Sequence, residues 1–216
     1  CLKEANHMRI LEPSMSEHPS ENEPRFLGGY FLIASVNLLD PNFVRTVVLL
    51  IQHNEEGAFG LVLNRPSGKE LNDVLPENLD GAVLHVPVYI GGPVQQDYLF
   101  ALHSGLEPKL TNSNATSPIP NVFFEPATKQ LISYLIDEWN ITPLEDRPKL
   151  RLYAGYAGWG PGQLERELRE NSWFVVPGHS SIVFHSDPES AWKDALSSKG
   201  KYYRFVAETG YMPSIN

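Results

Sequence analysis

The run Thr46-Val-Val-Leu-Leu-Ile-Gln52 constrains this chain more than any other feature. It has the length of a strand, and its β-branched and aliphatic side chains do not alternate with polar ones. Such a strand is buried on both faces. A turn at 54–57 follows, and Ala58–Leu63 returns as a second strand, so 46–63 reads as a β-hairpin at the heart of a sheet.

The segments around this hairpin mix both periodicities. Phe26–Ala34 reads as a strand opened by Gly28-Gly29, and Val83–Ile90 and Tyr98–His103 as strands flanking Gly91-Gly92-Pro93. Three prolines and a Thr/Asn/Ser run make 107–120 an exposed loop. Thr128–Asn140 changes period: Ile132, Leu135, Ile136 and Trp139 share one helical face. Lys149–Ala154 is a strand, Gly155–Gly162 a glycine-rich turn, and Gln163–Asn171 a helix with Leu164 and Leu168 inward and Glu165 and Arg169 paired outside. Trp173–Val176 and Ser181–Phe184 read as strands. Ser186-Asp-Pro-Glu189 is a capping box with proline in the first turn of a helix that runs through Leu196. No repeat and no linker interrupts the chain after residue 25, so 25–216 is expected to be one domain of mixed α and β structure.

Residues 1–24 differ. They carry two basic against five acidic residues, three prolines and no hydrophobic period, which reads as a mobile polar tail. The chain opens on Cys1 rather than Met, which suggests processing or a start other than the native one. No signal-like apolar segment precedes Cys1, which disfavours a lipidated cysteine.

Composition excludes several classes. Cys1 is the sole cysteine, so intramolecular disulfides and zinc sites built on two cysteines are ruled out. No apolar run approaches the ~18–20 residues of a membrane span. With 17 Lys and Arg against 26 Asp and Glu, the formal charge is −9. That sign disfavours a dedicated nucleic-acid binder, which needs a basic stripe. Lys199, Lys201 and Arg204 interleave with Tyr202 and Tyr203, a pattern that reads better as a solvated face than as a stacking platform.

Two groups of residues could bind a ligand. Gly158-Trp159-Gly160-Pro161-Gly162, between a strand and a helix, could aim backbone amides at an anion, although Pro161 removes one donor and no phosphate-loop lysine follows. The competing explanation is a tight turn with Trp159 as a plug. Asn64-Arg65-Pro66 and Gly91-Gly92-Pro93-Val94 both end predicted strands. Arg65 offers a five-donor fork for carboxylate or phosphate, or pairs structurally with an acid such as Asp97. The candidate ligand-binding residues are therefore Asn64, Arg65, Gly91, Gly92, Gly158, Trp159 and Gly160. Asp40-Pro41-Asn42-Phe43 is explained by turn chemistry alone. There is no Gly-x-Ser-x-Gly elbow and no His-Glu-x-x-His, and His103-Ser104, His179-Ser180 and the His179…His185 spacing match no recognised pattern. No catalytic residue, metal or cofactor is assigned.

Taken together, several blocks resemble the AlgH/YqgE family of bacterial proteins. They are 31–35, 37–43, 45–50, His53-Asn-Glu-Glu-Gly57, Gly60-Leu-Val-Leu-Asn-Arg-Pro66, Gly91-Gly-Pro-Val94 and Tyr156-Ala-Gly-Trp-Gly-Pro-Gly-Gln-Leu164, in order over about 26–184. The resemblance implies an α+β domain with a bifurcated, partly barrel-like mixed sheet surrounded by helices, in a cytosolic protein. The family's label of transcriptional regulator comes from a link to alginate production, not from a DNA-binding motif, and no enzyme activity, cofactor or catalytic residue carries over. Val36 stands where the family more often has proline, and Ile51 where cysteine is common, which removes any redox role at that position.

The reading favoured by these observations is a non-catalytic, regulatory, cytoplasmic protein that binds a protein partner or small effector, with no membrane association and no direct nucleic-acid binding. The alternative is a hydrolase or transferase whose anionic substrate is held by Arg65 and the 158–162 turn, with His53, His103 or Asp97 as the base.

Overall fold

The central hairpin forms as its sequence predicts. β2 (Val47–Asn54) and β3 (Gly57–Val62) pair antiparallel around 55–56, with an irregularity between Leu50 and Gln52 that bulges at Ile51. The computed structural model describes residues 24–75, 85–106, 115–139 and 141–212, so the expectation for the 1–24 tail lies almost wholly outside it. β1 (Tyr30–Ala34) lies on the other side of β2 and carries β10 (Trp173–Pro177) at the sheet's edge. β3 continues into β9 (Leu150–Trp159), then β6 (Val94–His103), β8 (Val122–Pro126) and β7 (Thr116–Ile119), all antiparallel.

The sheet forks at β9. Its second half, from Ala157 to Trp159, pairs with β3. Its first half pairs in parallel with β5 (Pro87–Ile90), which carries β4 (Pro66–Glu70). Gly91 sits in the crotch, donating its N–H to the Ala154 carbonyl and accepting from the Val62 N–H. A Cβ there would stand 2.2 Å from the Gly155 carbonyl oxygen, so only glycine permits this approach.

The other end of the sheet curls. The Pro118 carbonyl on β7 comes so close to Gly29 that a Cβ on that glycine would lie 2.3 Å from its oxygen. This gives a half-barrel whose interior is filled by Phe31, Leu49, Leu61, Leu102, Val122 and Tyr153. One mouth is capped by α4 (Ser180–Val183), α5 (Pro188–Ser197) and α6 (Lys201–Thr209), which insert Val183, Trp192, Leu196 and Val206. Outside, α3 (Gln163–Arg169) and segment 37–45 cover Leu32, Val48, Trp159 and Trp173. α1 (Leu71–Val74), α2 (Lys129–Tyr134) and a π turn at Leu135–Trp139 cover Val88, Ala101 and Leu152. Burial of β2 on both faces follows from these layers, and the architecture is the α+β fold with a branched, curled sheet that the resemblance implied.

Several local expectations are corrected. Ser181–Phe184 is not a strand: Ser180–Val183 form the single turn of α4, because the Nδ1 of His179 accepts the Ser181 N–H and caps it. β9 runs through Gly155 and Gly158 to Trp159, so the turn is confined to 160–162. In the predicted loop 107–120, Thr116–Ile119 pair as β7; 107–114 lie outside the described residues, as do 83 and 84 of the predicted 83–90 strand. The first strand starts at Tyr30, not Phe26. In the 128–139 helix the fully buried row is Leu131, Leu135 and Trp139, at spacings of four, while Ile132 and Ile136 are half-buried; the π turn accounts for the shift. Asp187, not Ser186, caps α5, its Oδ1 accepting the Glu189 N–H at 3.0 Å. Among the described residues no helix is long and apolar enough to cross a membrane.

Candidate functional site

The predicted site residues divide between two places. Asn64 and Arg65 follow β3 and clamp the segment that leads into β2. The Asn64 carboxamide accepts the Val47 N–H and donates to the Arg45 carbonyl, both at 2.9 Å. Arg65 Nη2 donates to the Val44 carbonyl at 2.9 Å, so the expected pairing with Asp97 does not form. Within the clamped segment the Asp40 carbonyl accepts from Phe43 and Val44, and its side chain accepts the Asn42 N–H at 2.8 Å, the turn chemistry read from Asp-Pro-Asn. Arg45 is held at φ +53°, which non-glycine residues seldom adopt. Earlier in the same segment Leu39 is 82% exposed.

The remaining five residues lie along β9 and the fork. Gly91 is the crotch residue described above. Gly92 packs on the Tyr156 backbone, and Gly158 lies under the Tyr156 ring. Trp159 is buried against Phe43 and Trp173, and both tryptophan Nε1–H groups donate to the same Glu167 Oε2, at 2.9 and 2.8 Å. The Gly160 N–H donates to Gln163 Oε1 at 3.1 Å. Trp159 is paired with Ala58 at the start of β3, whereas Asn64 and Arg65 come after its end, where the Arg65 carbonyl accepts the Ile90 N–H at 2.8 Å and brings Gly91 nearer to them than to Trp159.

Sequence reasoning missed the open mouth of the half-barrel. Phe59, Phe100, Phe124 and Tyr156, from β3, β6, β8 and β9, meet there with ring centroids 4.8–6.1 Å apart. All four are half-buried. Gly155, at φ +71°, resets the alternation of β9, so Tyr153 and Tyr156 face the same interior despite their odd spacing. The available signal was one aromatic per strand, each at an interior position. The offset in β9 hid it.

The three nominated bases are placed as follows. His53 is buried: its Nδ1 accepts the Leu27 N–H at 3.0 Å, which leaves the proton on Nε2 to donate to Glu165 Oε1 at 2.9 Å. That bond, after a backbone hydrogen bond as the larger cause, holds the Glu165 carboxyl below its usual range. It also corrects the expectation that Glu165 merely pairs with Arg169 outside. His103 is sealed on the outer face of β6 with Glu125, Nε2 to Oε1 at 3.0 Å, and both side chains have no exposure. Burial lowers its pKa against the raising effect of Glu125, and its Nδ1 has no hydrogen-bond partner. Asp97 is exposed on the β6 bulge.

At the capped mouth Arg151 donates to the Leu63 carbonyl at 3.3 Å and to the His185 carbonyl, with its guanidinium 4.7 Å from the Tyr89 ring centre. Burial raises the Tyr153 phenol well above its ordinary pKa. Among the described residues no group of three or more His, Cys, Asp or Glu is placed to hold a metal ion.

Comparison with known proteins agrees with the fold. Residues 31–204 match the model of the AlgH-like family, DUF179. A "UPF0301 protein" of Chlorobaculum tepidum is 38% identical over 190 residues, 87% of this chain and 95% of its own. The "UPF0301 protein AlgH" of Pseudomonas aeruginosa is 39% identical over 194 residues, covering 83% and 92%. The solution structure of the AlgH protein from Pseudomonas aeruginosa superposes with a TM-score of 0.64 at 31% identity, over 91% of this chain and 100% of that one. A crystal structure from Corynebacterium diphtheriae gives 0.67 at 25% identity, over 87% and 94%. The chain belongs to the AlgH-like family.

Proposed function

We propose that this member of the AlgH-like family is a cytoplasmic regulatory protein that acts without catalysis, by docking a protein partner on the face formed by Leu39, Val44, Arg45 and Arg65. One observation carries the reading: the Asn64 and Arg65 side chains are committed to holding 44–47 in place, with Arg45 in a strained conformation and Leu39 projecting into solvent. Strain held by surrounding bonds is characteristic of functional segments. An exposed leucine in a segment that also carries Arg45 and is held by Arg65 suits an apolar side chain on an acidic partner. The enzyme alternative draws no support from the geometry, because both nitrogens of His53 are engaged, His103 is sealed, and the Gly160 amide is taken by Gln163.

A photo-crosslinking residue placed at Leu39 and, as a control, at the exposed Tyr211 tests this in cells. A discrete protein adduct at position 39, absent at 211 and lost when Arg45 and Arg65 are both changed to Glu, is expected. No adduct, or the same adduct from both positions, overturns the proposal.

A further inference from the structure

The chain enters the domain across the β2–β3 hairpin, and one side chain fastens it there. We propose that His53 is a proton-operated latch: taking up a proton at Nδ1 releases residues 25–27, the strap by which the N-terminal residues join the domain. The latch is independent of the docking face.

The geometry supplies its closed state. His53 Nδ1 accepts the Leu27 N–H at 3.0 Å, a bond that spans 26 residues, and the His53 side chain is only 2% exposed. The Phe26 ring packs edge-on against the imidazole, with 5.5 Å between centroids. Outside lies the Arg25–Glu55 ion pair, whose side chains are largely exposed, so solvent screening leaves it a weak tether. Phe26 is itself exposed and Leu27 half-buried, so opening gives up only part of two side chains' burial. The Gly29 N–H donates to the Leu50 carbonyl at 2.7 Å, which anchors the chain again directly after the strap. The exposed Gly28 between these two anchors is the hinge.

Proton chemistry supplies the trigger. A neutral imidazole has one donor and one acceptor nitrogen, whereas an imidazolium has two donors. With the strap closed, a proton on Nδ1 would confront the Leu27 N–H, donor against donor. With the strap open, Nδ1–H faces water while Nε2–H keeps Glu165 Oε1, 2.9 Å away, as its anionic partner. The open state therefore binds the proton more tightly than the closed one. Linkage shifts the population toward it as pH falls, by up to about tenfold per unit for one proton.

The other charges around the latch are Arg169 beside Glu165 on α3, Arg25 on the strap, and Glu55 and Glu56 in the turn. Carboxyls and guanidiniums ordinarily keep their charge between about pH 8 and 6, which leaves an imidazole to titrate there. His179 and His185 also accept backbone N–H bonds through Nδ1, but from Ser181 and Asp187, two residues on, so they tie down no distant segment.

Trypsin cleavage of the full chain after Arg25 measures opening, because residues 26–28 must leave the hairpin to enter the protease. Dividing its rate by that of the free peptide 21–30 at each pH cancels the protease's own pH dependence. The ratio is expected to rise about fivefold or more between pH 8 and 6. In His53→Asn, whose carboxamide oxygen can accept the Leu27 N–H without titrating, the ratio should stay flat, whatever its level. Glu165→Gln, which removes the anionic partner of the imidazolium, should lessen the rise. Cleavage after the buried Arg151 marks a variant that has failed to fold, and the other variant then carries the comparison. A smaller rise in the unmodified chain, or an equal rise in either folded variant, overturns the proposal.

Discussion

The two mouths of the half-barrel are made from the same strands and finished in opposite ways. At the capped mouth three helices press Trp192, Leu196 and Val206 into the interior, the Trp192 Nε1–H donates to the Ala34 carbonyl at 2.9 Å, and even a guanidinium is enclosed, its donors directed at backbone carbonyls. At the other end of the half-barrel four half-buried rings meet one another. Apolar area at the first mouth is removed from water and stabilises the fold. At the second, part of that area stays in contact with water. The difference teaches that this domain draws more of its stability from one end of the sheet than from the other.

Matched truncations offer the sharpest way to break that contrast. Trp192→Ala should destabilise by about 3–5 kcal/mol, because it leaves a cavity among well-packed helices and an unpaired carbonyl. Phe59→Ala at the open mouth should cost roughly 1–2 kcal/mol, since its ring is already partly solvated. Urea titrations of both variants measure the pair, and equal losses would mean that the open mouth is as structural as the capped one.

A smaller, pH-dependent effect separates both mouths from the outer face of β6. Burial holds the folded His103 pKa below the ordinary histidine value of 6.5, so the unfolded chain binds the proton more readily. Stability is therefore full above pH 6.5 and falls as pH drops below it toward the folded value, by up to about 1.4 kcal/mol per pH unit for one proton. His103→Leu should flatten the profile between pH 7.5 and 5.5. An unchanged slope would place the titration elsewhere.

The least effect is expected from Tyr156→Phe, which removes only a hydroxyl at the open mouth and should shift stability by less than about 0.5 kcal/mol. A loss comparable to that of Phe59→Ala in thermal melts would show that the tyrosine is bonded structurally rather than left at the surface.

Much of the sheet was legible because strands buried on both faces announce themselves. β2 needs no context to be recognised, and the turn at 54–57 fixes its partner. The failures have particular causes. Ile182 and Val183 look like strand residues, but one hydrogen bond from Ser181 to His179 turns them into a helix. Gly155 and Gly158 look like a turn, yet they lie inside β9, where one makes room at the fork and the other lies under Tyr156. Asn64 and Arg65 were singled out for their chemistry, but not for their target, the backbone of residues 44–47 in a segment about 20 residues earlier.

The sequence by itself determined which segments are buried, which turn sharply and which classes of chemistry are ruled out, because those depend on local periodicity, backbone permissiveness and composition. Only the tertiary structure decided that β9 divides the sheet, that His53 and Glu165 join across 112 residues, and that four aromatics from separate strands converge on one mouth. Those facts depend on strand order and curl, which are set by long-range packing that no local window of residues contains.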